Sequence, residues 1–384
     1  MRCIRSYPLA LCLLCMCPIG PSAWAGYLIL DLGTLPGGDR SFGNGVNATG
    51  QVAGTATTAT GVEHAFRSLS QGGLNDLGTL PGGQNSQGNA INIAGTVTGV
   101  SETISGGFLT THAFISSGGM MTDLHTLPGG FTSVGNAINS LGEVAGTADA
   151  GGGVEHAFIT SGGTLKDLGT LPGGFTSQAN GINDGGIVVG AADTFGVTHA
   201  FRTDALNHLH DLGTLPGATD SFALAINNLN QVVGNSGSAG GIVHAFRTNA
   251  AGMMFDLGTL SGGASSFALG INDDGLIVGQ SDIGGGLSHG FLWTPTQGMI
   301  DINSLIVPGT TWSLASATSI NNSGQITGFG SIDVMTPLGT VRQTHAFVMT
   351  PEGNIPEAPE PSSLVLTVIG GLAGWRLWHR GSRR

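Results

Sequence analysis

One string recurs so regularly that it limits what this chain can fold into. Asp-Leu-Gly-Thr-Leu-Pro-Gly-Gly, or a close relative, begins at Asp31, Asp76, Asp123, Asp167, Asp211, Asp256 and Asp301, at spacings of 45, 47, 44, 44, 45 and 45 residues. Three further landmarks keep step with it. An apolar residue followed by Asn stands at Val46-Asn47, Ile91-Asn92, Ile138-Asn139, Ile182-Asn183, Ile226-Asn227, Ile271-Asn272 and Ile320-Asn321. Five to six residues on comes a short β-branched run ending in Gly, as in Gln231-Val232-Val233-Gly234. Last comes His-Ala-Phe, at His64, His112, His156, His199, His244 and His345, with His289-Gly290-Phe291 as the variant.

Each period therefore holds four short apolar segments separated by clusters of Gly, Asn, Asp, Ser and Pro, which read as strands between turns. Helices are excluded on the same evidence. The segments are too short, and 68 of 384 residues are Gly, each costing roughly 1 kcal/mol in a helix interior relative to Ala. Asn-x-x-Gly between the second and third landmarks, as in Asn183-Asp184-Gly185-Gly186, suits a tight hairpin that needs positive φ. Pro-Gly-Gly reads as the turn between units.

Four strands per unit is the content of a β-propeller blade, and seven units predict an all-β, seven-bladed β-propeller spanning residues 26–355. The chain opens on a fourth segment, Tyr27-Leu28-Ile29-Leu30-Asp31-Leu32, and its last unit stops after the third, His345-Ala346-Phe347-Val348. The N-terminal strand is thus predicted to complete the final blade, which would pair the two free edges that an open array exposes. A Gly-rich β-solenoid is the alternative. Its coils repeat over roughly 18–30 residues, so a unit of this length would need two coils, and the permuted ends would have no purpose.

The succession Asp-Leu-Gly-Thr-Leu-Pro-Gly-Gly, Ile-Asn, Val-Val-Gly, His-Ala-Phe resembles the HAF-repeat family of extracellular bacterial proteins over residues 27 to about 350. That resemblance implies an exported repeat protein and carries no catalytic residues with it. Departures collect at the end. Asp301-Ile302-Asn303-Ser304-Leu305 lacks Gly-Thr, Ser261 stands in place of Pro, and 56 residues separate His289 from His345.

Both termini read as addresses. Arg2 and Arg5 precede an apolar run over 9–19, and Ala23-Trp24-Ala25 has the A-x-A form, so residues 1–25 are expected to be a secretory signal peptide cleaved after Ala25. Leu11, Leu14 and Met16, the residues before Cys12, Cys15 and Cys17, argue against a lipoprotein signal. All four cysteines lie within the first 17 residues, so the mature chain cannot lean on disulfides. At the other end, residues 356–384 hold a Pro/Glu linker, an apolar run over 364–375, and Arg376, Arg380, Arg383 and Arg384. This tail resembles the PEP-CTERM sorting signal, with Pro359-Glu360-Pro361 in the motif's place and Ser362-Ser363-Leu364 following. It implies an exosortase-type transpeptidase as partner in a Gram-negative bacterium, transient anchoring in the inner membrane, and delivery to the cell surface or extracellular polymer. An ordinary membrane anchor is the plainer alternative.

Between residues 26 and 355 there are 22 Asp and Glu against 6 Lys and Arg, a net −16. Nucleic acid is excluded as a partner on that balance, since its affinity rests on basic side chains. The repeated histidines could in principle ring a transition metal, but a residue present once per blade more simply serves the blade, by hydrogen bonding a turn or neighbouring strand. The repeated Asp is likewise expected to accept backbone hydrogen bonds at the strand-to-turn corner. No resident cofactor is expected. Calcium stays a weak alternative because of acidic loops such as Asp273-Asp274. The Gly runs 151–153 and 284–286 lack the Lys-Ser/Thr of a phosphate loop and read as hairpin tips.

Residues 26–355 hold no cysteine nucleophile and no His-Glu-x-x-His, and no catalytic residue is assigned. Trp312, in the irregular stretch 308–314, is the one candidate ligand contact. The expected function is that of a non-enzymatic, cell-surface or matrix protein with a structural or binding role in the envelope or exopolysaccharide, extracellular polysaccharide being a candidate partner. An extracellular glycan hydrolase or lyase is the alternative, and the short, uniform loops weigh against it.

Overall fold

A computed structural model of the chain describes residues 26–353, apart from 70–71, 238–239 and 337–338. It is a seven-bladed β-propeller made of seven four-stranded antiparallel sheets. Blades 1 to 6 occupy residues 41–76, 82–123, 133–167, 177–211, 220–256 and 266–301, each strand pairing with the next from the axis outwards. Blade 7 takes three strands from residues 313–351, and its outermost strand is Tyr27–Gly33. The N-terminal strand pairs antiparallel along the last one, Tyr27 opposite Pro351 and Asp31 opposite Phe347. The expected closure is therefore the one adopted. The signal peptide at 1–25 and the tail at 356–384, with Ala23, Ala25, Pro359, Glu360 and Pro361, lie outside the described residues.

The repeated residues each have a packing task. The seven Phe of the His-Ala-Phe positions, among them Phe66, Phe158 and Phe291, are fully buried. Opposite each lies the Gly that follows the β-branched run inside the second strand, for example Gly54 facing Phe66 and Gly146 facing Phe158. A Cβ on Gly146 would run into the Val134 carbonyl and sit 2.8 Å from the Phe158 ring. That carbonyl stands close because the innermost strand bulges between Gly135 and Ala137. Glycine is required here by close approach, not by φ.

Hydrophobic clusters form between blades as well as within them. Leu124 and Leu127 of the Asp-Leu-x-Thr-Leu string pack with Ala113 of blade 2 and with Ile138, Val144 and Phe158 of blade 3. Serine adds a polar staple at these junctions. The Ser133 hydroxyl accepts from Ala113 N–H across the junction and donates to the His125 carbonyl. Equivalent Ser41, Ser86, Ser177, Ser221 and Ser266 accept from Ala346, Ala65, Ala157, Ala200 and Ala245. Between blades 6 and 7 Asn303 takes the staple's place, accepting from Leu314 N–H and donating to its carbonyl, beside a cluster of Ile302, Leu314 and Phe347.

Two blades depart from the common outline. The second-to-third hairpin of blade 7 is long, Ile326–Thr336 with Gly339–Pro351, as its spacing suggests. Blade 2 is lengthened too, with strands Val97–Ser105 and Phe108–Ser117. The loops are thus less uniform than the sequence implies. Only two residues of the blade 2 spacing register the extra turns of strand. Among the described residues no helix is long and apolar enough to cross a membrane.

Candidate functional site

The innermost strands surround a central channel, and the Asn of each Ile-Asn pair stands at one mouth of it. Each side-chain oxygen accepts from its own hairpin, as Asn139 Oδ1 does from Leu141 and Glu143 N–H. Each amide nitrogen donates to the carbonyl of the next blade's Asn. The series runs from Asn47 through Asn92, Asn139, Asn183, Asn227, Asn272 and Asn321 back to Asn47, at 2.9–3.2 Å. All seven are buried. This closed amide ring explains why Asn recurs in every blade, and sequence periodicity alone could not reveal that its donors cross between blades.

The residues one position on ring a cavity of about 350 Å³ at this mouth. Asp184 accepts from Ser140 N–H and Asn228 Nδ2, and Asp273 accepts from Asn228 N–H and Asn322 Nδ2. Burial would raise the Asp184 carboxyl, but the hydrogen bonds from Ser140 and Asn228 outweigh it and hold the group below its usual range. These carboxylates are occupied acceptors. Deeper in the channel, Asn44, Asn89, Asn136 and Asn180 bond the neighbouring blade, whereas Leu224 and Leu269 take that position in blades 5 and 6.

The repeated histidines lie away from the channel, on the third strands, where each reaches the Asp that opens the repeat string. His64 Nδ1 is 2.9 Å from Asp76, His156 2.8 Å from Asp167, and His345 2.9 Å from Asp31 on the N-terminal strand. The same carboxylates accept from the backbone two residues on, as Asp76 does from Gly78 N–H. Each pair therefore ties the outermost strand to the third at its corner. That His and Asp serve one another is legible only once the strands are paired.

Four exposed phenylalanines share the face that carries the Pro-Gly-Gly turns and the second-to-third hairpins. Phe131 and Phe175 follow the Gly-Gly turns entering blades 3 and 4, and Phe108 and Phe195 sit at the hairpin tips of blades 2 and 4. They are 74%, 74%, 77% and 83% exposed. The Phe131 loop is held by the Asp149 carboxylate at its N–H and by the Thr110 hydroxyl at its carbonyl. The Phe195 ring lies over the turn at Gly173, where a Cβ would come within 2.6 Å of it. In blades 1, 2, 5 and 6 the Phe131 position holds Asp39, Gln84, Thr219 and Ala264. These Phe fall outside the His-Ala-Phe pattern, which is the signal that separates them from the core set.

Trp312 is half-buried and meets Phe347 edge to face at 5.9 Å, against the cluster that joins blades 6 and 7. Its neighbours are core residues, and it stands apart from the exposed Phe of blades 2 to 4. One metal-competent group occurs among the described residues, His112, Asp123 and His125.

No protein-family model matches the chain, and no curated protein does. Among solved structures it is similar to TolB from Acinetobacter baumannii, at 12% identity and a TM-score of 0.43 over 67% of this chain and 64% of that one, so it spans just under two thirds of TolB. It is similar also to the BP39L lectin from Burkholderia pseudomallei, at 11% identity and a TM-score of 0.43 over 80% and 93%. A third is the gluconolactonase XC5397 from Xanthomonas campestris, at 10% identity and a TM-score of 0.35 over 88% and 99%. Likenesses this distant assign no activity to the chain.

Proposed function

We propose that this chain is an exported, non-enzymatic propeller of the cell surface or extracellular polymer that binds neutral polysaccharide through the phenyl-bearing face of blades 2 to 4. The observation that carries the reading is the set Phe108, Phe131, Phe175 and Phe195, four exposed rings on one face of three consecutive blades. Exposed apolar surface of this kind marks an interaction site, and aromatic rings offer flat faces to the C–H faces of sugars. The net −16 body repels polyanions, which favours an uncharged polymer. Export and sorting rest on the two ends of the sequence, through the signal peptide and the Pro359-Glu360-Pro361 tail with its exosortase-type partner.

The hydrolase alternative needs a carboxylic acid held protonated and opposed by a second carboxylate across a cleft. Asp184 and Asp273 at the channel mouth are instead hydrogen-bonded acceptors, and Asp184 is shifted downward.

The test incubates the protein with the host's extracellular polysaccharide, measuring retention and new reducing ends together. Retention without reducing ends is expected, falling at least tenfold in the Phe131→Ser/Phe175→Ser/Phe195→Ser variant. Release of reducing ends, or retention indifferent to the three substitutions, would overturn the binding role. For the address, mass spectrometry of the protein recovered from cells is expected to show a first residue at Gly26 and loss of the Arg-rich end.

A further inference from the structure

Eleven histidines occur in the chain, and seven of them fill the His-Ala-Phe positions. Of the remaining four, His125, His208 and His210 are described, and each stands beside an aspartate. His125 is the instructive one. It takes the place of the Gly in Asp-Leu-Gly and keeps that residue's left-handed backbone, φ 62°, where Gly33, Gly78, Gly169, Gly213 and Gly258 have φ between 68° and 71°. A side chain there is strained, and an outlier of this kind points to a role for the side chain.

What the His125 side chain does is visible in its surroundings. Its Nδ1 lies 3.3 Å from Asp123 Oδ2, and the same oxygen is 2.8 Å from His112 Nδ1. The two imidazoles meet edge to face with centroids 6.1 Å apart. All three ligand atoms lie within 4.8 Å of one another. In the other blades the His–Asp pair has no third member, because the corner residue is Gly or, in Asp301-Ile302-Asn303, Asn.

We propose that His112, Asp123 and His125 form a binding site for a late first-row divalent cation, zinc being the representative. Metal–nitrogen and metal–oxygen bonds of about 2.0–2.2 Å at tetrahedral angles put neighbouring donors roughly 3.3–3.5 Å apart. The 3.3 Å from His125 to Asp123 matches that spacing, the 2.8 Å hydrogen bond from His112 to Asp123 opens by about half an ångström on binding, and rotation of the exposed His125 ring brings in the third donor. Two imidazoles and one carboxylate suit zinc, nickel or copper(II) and do not suit calcium, which prefers an all-oxygen shell. His112 is buried and fixed, while His125 is three-quarters exposed. The fourth coordination position is left to water or to a donor from a partner. On coordination through Nδ1 the His112 proton resides on Nε2, so that ring stays neutral.

The experiment titrates zinc into the untagged, chelator-stripped protein by calorimetry. Where the purified chain retains Cys3, Cys12, Cys15 and Cys17 they are alkylated beforehand, since thiolates are zinc ligands. One zinc per chain is expected. Affinity should drop at least tenfold in His125→Gly, which restores the residue of five other corners and should melt no lower than the parent without metal. It should be unchanged in the His208→Asn/His210→Asn control. Absence of binding, binding that survives His125→Gly, or binding lost in the control would overturn the assignment.

Discussion

Phe158 and Gly146 illustrate how far a single residue pair is constrained. The ring fills the blade interior only because the strand opposite has no Cβ and the innermost strand's carbonyl has moved in beside it. Phe158→Ala is expected to cost about 3–5 kcal/mol as a buried aromatic lost to a cavity. Gly146→Ala should cost about 1–3 kcal/mol or more, because the backbone carbonyl has no room to yield. Chemical denaturation measures both. At the channel, Asn139 satisfies buried partners on two blades. Since each orphaned buried group costs about 1–3 kcal/mol, Asn139→Ala is expected to exceed about 2 kcal/mol in the same assay.

Among the elements, the N-terminal strand Tyr27–Gly33 matters most, because it both completes blade 7 and leads into blade 1. The Tyr27 backbone N–H donates to the Leu305 carbonyl, and Asp31 holds His345. The Tyr27 hydroxyl, however, is buried without a partner, and burial pushes its pKa up to about 12. The raised value means the folded state keeps the proton that the unfolded chain releases near pH 10. This contribution is therefore complete below pH 10 and is lost as pH rises to about 12. Tyr27→Phe is expected to raise stability at neutral pH by about 1 kcal/mol, by removing an unsatisfied hydroxyl, and to flatten the alkaline decline in melting temperature.

Loops on the phenyl-bearing face respond to acid instead. Backbone N–H donation from Gln84, joined by Asn85, lowers Glu102 below its usual range. Burial opposes the same effect at Asp193, where Thr176 and Phe175 prevail. Depressed carboxylates stabilise the fold above their unfolded pKa, and that support fades as pH falls through the lower folded value. Asp193→Asn should melt below the parent at pH 7 and alongside it once the carboxylates are protonated. Calorimetric melts across pH provide the comparison.

At the scale of the whole molecule, the ring divides its labour. Staples, amide ring and His–Asp corners repeat around the axis, whereas the features that break the repeat gather on particular blades. Phe108, Phe131 and Phe175 and the His125 corner fall on blades 2 to 4 or the turns that join them, and Leu224 and Leu269 interrupt the inner polar ring at blades 5 and 6. A repeat array can vary locally in this way because each blade packs mainly on its neighbours. Deleting residues 26–33 should therefore damage the whole ring more than any single-blade substitution. It leaves the Gly339–Pro351 edge unpaired, and the expected result is self-association by light scattering, as an exposed strand edge predicts.

Blade number, strand count per blade, turn positions and the closing role of Tyr27–Gly33 follow from the linear order of the repeats, because strand period and turn chemistry are local properties. The task of each repeated residue does not follow from it. That Asn47 donates to Asn92, that His345 meets Asp31 314 positions away in the chain, and that Gly146 underlies Phe158 depend on which strands lie side by side. Which of the Phe outside the His-Ala-Phe pattern reach solvent is decided the same way, Phe131 being exposed where Phe42 and Phe222 are half-buried. His125 marks the boundary between the two. Its departure from the repeat is written in the sequence, but only the pairing of the third and outermost strands of blade 2 brings His112 and Asp123 within reach of it.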